Sequence, residues 1–114
     1  MPMLRECQTA IVARNVRWQG VVETEPYEAG WAQEMIVFLR VLEIEGAVAG
    51  IEATVQISPD GLHWVDEGSR LPLPAVVGGL SFVRLTHFGQ YVRLRAEIPD
   101  DGACKVLVAI NSKG

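Results

Sequence analysis

Ile57-Ser58-Pro59-Asp60-Gly61-Leu62-His63-Trp64 is a stretch of turn chemistry set between two β-patterned runs. Proline at 59 pre-sets φ, the Asp60 side chain caps neighbouring N–H groups, and Gly61 takes the positive φ that closes a hairpin with a bulge. Upstream, Ile51, Ala53, Val55 and Ile57 alternate with Glu52, Thr54, Gln56 and Ser58, the period of a half-buried strand. Downstream, His63 to Asp66 returns as a short strand. A hairpin of this kind announces an all-β domain and not an active site.

Working outward, short runs of Val, Ile, Leu, Thr and aromatic residues recur between Gly, Pro and Asp. Gln8 to Trp18 reads as a first strand. Val22 to Trp31 reads as a loop or irregular edge, because Pro26 cannot sit in a central strand. Glu34 to Glu45 is the longest run. Met35 to Leu39 is apolar on both faces, which suits a covered strand, although Glu, Met and Leu also favour helix and the run is long enough for one. Glu67 to Gly79, with Pro72 and Pro74, reads as an extended surface loop. Leu80 to His87 and Tyr91 to Ile98 read as a second hairpin around Phe88-Gly89-Gln90. Pro99-Asp100-Asp101-Gly102 is a further turn, and Cys104 to Ile110 is a last strand with two apolar faces. About seven or eight short strands at this spacing predict an antiparallel β-sandwich of jelly-roll type.

The 114 residues suit one two-layer domain spanning 1–114. A net charge of −4 with mixed signs argues against nucleic acid or an anionic membrane as partner. Hydrophobic residues reach 49%, so part of the apolar surface of so small a domain is expected under other subunits. Met1-Pro2-Met3-Leu4-Arg5-Glu6 lacks the apolar segment of a secretory signal, and no run approaches the ~20 apolar residues of a membrane helix. The expected location is the cytoplasm or a particle assembled there. Cys7 and Cys104 read as two reduced thiols, with a bridge between neighbouring chain ends as the alternative.

Ser58-x-Asp60-Gly61-x-x-Trp64, followed by Gln90-Tyr91-Val92-Arg93-Leu94-Arg95, resembles the hairpin and following strand of discoidin-like (galactose-binding-like) sandwich modules and of phage or virion accessory proteins. The resemblance runs over roughly Glu52 to Ile98 and implies a fold, not a ligand. The Asp-box of sialidase-type propellers is excluded, because Gly61 follows Asp60 directly and Trp64 comes one place too early.

Candidate sites are few. Met35, Val37 and Leu39 in one two-faced strand, and Leu107 and Ala109 in another, are expected at an interface with other chains. Arg84, Arg93 and Arg95 form either cross-strand ion pairs with Glu97 or a basic stripe that docks on the acidic Glu23–Glu34 segment of another copy. A competing glycan site would use Tyr27 and Trp31 as stacking rings, with His63 and Asp66 as polar groups on the same rim. His63 and His87 have no partner at a ligand spacing, so no metal site is predicted. There is no nucleophile elbow, no activated cysteine and no phosphate-cradling glycine loop, so neither a cofactor nor an enzyme is predicted. The expected role is a non-enzymatic structural or interaction subunit that self-associates or decorates a larger assembly. Its edge strands are available for pairing wherever no proline or charge blocks them. The alternative is a carbohydrate- or small-ligand-binding module.

Overall fold

A computed structural model describes residues 7–114; the signal-peptide reading of the first six residues lies outside that range. Nine strands form: β1 (Cys7–Trp18), β2 (Gly20–Glu23), β3 (Tyr27–Glu28), β4 (Glu34–Gly46), β5 (Glu52–Ser58), β6 (Val65–Pro72), β7 (Leu80–Thr86), β8 (Tyr91–Ile98) and β9 (Gly102–Lys113). They make two antiparallel sheets. The first has the order β1-β9-β4-β7, and the second has the order β2-β8-β5-β6 with β3 also on β8. This is the paired-sheet arrangement of a jelly roll, as the turn spacing predicts.

Period-2 alternation explains what lies between the sheets. Met35, Val37, Leu39 and Val41 of β4 and Val106, Val108 and Ile110 of β9 face Ala53 and Val55 of β5 and Val92, Leu94, Ala96 and Ile98 of β8. Leu71, Leu85 and Trp18 complete this core. The long run at 34–45 is a strand and not a helix. Its alternation of buried and open positions is what a sheet facing both a core and the outside requires.

Ser58–Trp64 makes the hairpin its sequence predicts, joining β5 to β6. The Ser58 hydroxyl accepts from the N–H groups of Asp60 and Gly61 at 3.2 and 2.8 Å. One Asp60 carboxylate oxygen accepts from Leu62 and His63 at 2.8 and 2.9 Å, and Gly61 has φ +80°. These bonds hold the Asp60 carboxyl well below its ordinary value of 3.8, with the His63 N–H contributing most.

The second expected hairpin does not form. β7 pairs with β4, whereas β8 pairs with β2, β3 and β5 in the other sheet. Between them, His87 takes φ +56° and Phe88 packs against the core, so the turn carries the chain across the end of the sandwich. The surface loop expected at 67–79 is also corrected, since β6 runs to Pro72. Its polar composition hides an edge strand with one fully buried anchor, Leu71. Cys7 lies opposite Lys113 and Cys104 opposite Trp18 on a single ladder. At ~3.3 Å per residue the thiols are roughly 30 Å apart, far beyond the ~7 Å between α-carbons that a disulfide spans. Both are free, and burial pushes the Cys104 thiol upward.

The sheet edges are irregular. β1 is bulged between Ile11 and Ala13 and again between Ala13 and Val16, with Asn15 at φ +54°. β2 and β3 form one edge broken at Thr24-Glu25-Pro26, where the Thr24 hydroxyl accepts the Leu94 N–H at 3.0 Å. β6 is shifted opposite Thr54–Gln56 and has Gly68 at φ +111°. β7 runs beside β6, and the Ser81 hydroxyl donates to the Pro72 carbonyl at 2.6 Å.

Candidate functional site

The outer face of the β1-β9-β4-β7 sheet is built from the alternate positions of its strands. Pairing aligns Ile11 with Ala109, Ala109 with Phe38, and Phe38 with Phe82, which makes one apolar row across all four strands. The next rung along carries Leu107, Arg40 and Leu80, and the rung on the other side carries Thr9, Asn111, Ile36 and Arg84. The rings of Phe38 and Phe82 meet at 6.1 Å and 42°, and the Arg84 guanidinium lies over Phe82 at 5.1 Å. Phe82 is 49% exposed and Leu80 60%. Val76 and Val77, in the loop that leads into β7, are also exposed. Beyond the row, a hollow of about 440 Å³ opens between Ile36, Arg84, Asn111 and Lys113.

This placement corrects part of the expectation. Met35, Val37 and Leu39 point into the core, at 2, 0 and 0% exposure, so they are not free for another chain. The residues of β4 that face outward are Ile36 and Phe38, which sequence reasoning missed. A signal for them was present: Glu34 and Arg40 share their parity, and charged residues mark the outward positions of a strand. Leu107 and Ala109 do lie on the outer face, half-buried beside Phe38 and Arg40.

The other outer face, on the β2-β8-β5-β6 sheet, is polar and paired within itself. Arg93 reaches Glu23 at 2.6 Å, donates to Gln56 at 2.9 Å, and stacks on Trp64 at 4.1 Å. Arg95 pairs with Glu97 at 2.9 Å, and Gln56 donates to Asp66 at 3.0 Å. Arg84 is on the opposite sheet, so the three arginines form no common stripe. Arg93 and Arg95 are already matched by acids of their own chain, one of them Glu23 of the segment expected to receive them from another copy.

The glycan rim is not assembled. The Tyr27 hydroxyl is tied to the buried Ser112 at 2.7 Å and its ring packs on the core. Trp31 is half-buried and Gly114 lies against its ring. His63 is held by Asp60 at 2.6 Å and Asp66 by Gln56, so the two polar groups have separate local partners. Among the described residues, no group of three or more His, Cys, Asp or Glu comes together that could hold a metal ion. Among the described residues, no helix is long and apolar enough to cross a membrane.

Fold and surface together define a jelly-roll sandwich with one self-paired face and one apolar face. No family model matches the chain, and no curated protein matches it in sequence. Its fold is shared with solved structures. The SPBc2 prophage-derived protein YomS superposes with a TM-score of 0.61 over 100% of this chain and 98% of its own, at 9% identity. The PBSX exported protein XepA superposes with a TM-score of 0.55 over 97% of this chain and 37% of its own, also at 9% identity. Both neighbours are phage-derived proteins. The likeness is one of fold, and neither bears on a discoidin-like ligand.

Proposed function

We propose that this protein is a non-enzymatic structural or accessory subunit, of the kind found in phage-like particles, that docks on other protein through the outer face of its β1-β9-β4-β7 sheet. The observation that carries the reading is the row Ile11–Ala109–Phe38–Phe82, flanked by Leu107, Leu80 and Ile36. Single exposed apolar residues are ordinary on a protein surface, whereas a contiguous set rimmed by charge marks an interaction site. Aromatic residues with an arginine beside them are the side chains that dominate binding energy at interfaces. The fold shared with two phage-derived proteins supports the accessory role.

The test is solution mass by light scattering across a dilution series, for the native chain and for Phe38→Glu. Masses above 12.5 kDa that fall to the monomer value in the variant support docking through this face. A native chain that stays at 12.5 kDa, with solubility unchanged by Phe38→Glu, overturns it.

A further inference from the structure

We infer that the occupant of this face is a second copy of the same chain, related by a two-fold axis that runs parallel to the strands between β9 and β4. The inference rests on the docking role proposed above and adds the partner and its orientation.

Side-chain sizes are complementary about this axis. The bulky side chains of the row, Phe38 and Phe82, are on β4 and β7, and the slimmer ones, Ala109 and Ile11, are on β9 and β1. A strand-parallel axis at the centre of the four-strand sheet lays β4 on the partner's β9 and β7 on its β1. Phe38 then meets Ala109 and Phe82 meets Ile11, so large residues fill the space above small ones on both sides of the axis. A two-fold interface requires this self-complementarity.

Charges are complementary about it as well. Pairing places Glu34 beside Lys113 at one end of the sheet and Glu43 beside Lys105 at the other, the latter at 3.5 Å. In each pair the acid is on β4 and the lysine on β9. The strand-parallel axis therefore sets both lysines over glutamates of the other copy. An axis across the strands through Phe38 would lay β4 on β4 and bring Glu34 toward Glu43 and Lys105 toward Lys113. Like charges facing each other oppose that arrangement, so the pattern selects one axis.

The area is sufficient as well. Three strands of twelve or thirteen residues and one of seven, ~4.8 Å apart, present a face of about 690 Å². A standard stable interface covers about 600–1,000 Å² on each partner. Two sandwiches stacked through this sheet fall within that range without further elements.

The experiment mixes two variants in a Cys7→Ser background, one carrying Ile11→Cys and the other Phe82→Cys, and treats them with a short bismaleimide. The expected result is a covalent dimer from the mixture and little from either variant alone, with a native mass of twice 12.5 kDa. Lys105→Glu is expected to weaken the dimer roughly tenfold, and Lys105→Glu with Glu43→Lys to restore it. Cross-linking of Phe82→Cys alone, at the same mass, would overturn this axis while leaving the docking face in place. A dimer unaffected by Phe38→Glu would remove both the axis and the face.

Discussion

The two outer faces of this sandwich are made by the same alternation from the same kind of strand, yet they are opposite in character. On the β2-β8-β5-β6 sheet every arginine described above has an acid of its own chain, and Arg93 also has Trp64 beneath it. On the β1-β9-β4-β7 sheet the central row is isoleucine, alanine and two phenylalanines, with Leu107, Leu80 and Ile36 on the neighbouring rungs beside Arg40 and Arg84. Magnitudes separate the two. An exposed ion pair contributes about 0–1 kcal/mol. Burying a leucine or phenylalanine side chain contributes about 1.5–3 kcal/mol. A partner gains little from the first face, which is already satisfied, and much from the second.

The sharpest way to break the comparison is to place one charge on each side of β4. Val37→Lys puts an ammonium into a fully buried position and should remove at least about 4 kcal/mol of stability, enough to unfold most of the chain. Phe38→Glu, one residue along, should leave the unfolding free energy of the monomer within about 1 kcal/mol of native and abolish association. Urea titration with light scattering reads both. Equal loss of stability from the two substitutions would show that the outer face belongs to the monomer's own packing.

A smaller effect is expected on the charged face. Arg93→Ala removes two polar contacts and a ring contact from a side chain only 16% exposed, and should cost about 1–2 kcal/mol. It should not change the solution mass, because that face is not the one proposed for docking.

The smallest effect is a titration. The Asp60 carboxyl is lower in the folded chain than its ordinary value of 3.8. Its contribution is therefore fully present above about pH 4 and is lost as the pH falls further, since the unfolded chain then takes up the proton first. Asp60→Asn should flatten the fall in stability below pH 4, measured by urea titration from pH 7 to pH 2.

What the sequence reveals about these faces differs strand by strand. The Ser58–Trp64 hairpin is legible because its geometry is set by local bonds among Ser58, Asp60 and Gly61. Among the described residues it also joins the one pair of consecutive strands that pair directly with each other. Phe88-Gly89-Gln90 carries similar turn chemistry but leads from one sheet to the other, and nothing local distinguishes pairing from crossing. The decisive signal is Phe88, which is partly buried and packs against the core. For β9, Lys105 and Lys113 bracket Leu107 and Ala109 and disclose the outward parity. For β4 the continuous run from Met35 to Leu39 conceals it, so the buried set is easily mistaken for the exposed one. The separation of Arg84 from Arg93 follows from the same crossing.

The interrupted edges limit how copies can add to one another. Pro26 and the Thr24 patch break one border, two bulges twist β1, Gly68 distorts β6, and β7 is turned toward β6. Among the described residues, no border presents the long, straight ladder that recruits further strands edge to edge into a fibril. Under the face-to-face pairing proposed above, growth would saturate once the apolar face is covered, and the stoichiometry would be finite and set by the chain itself, without a cap or a template.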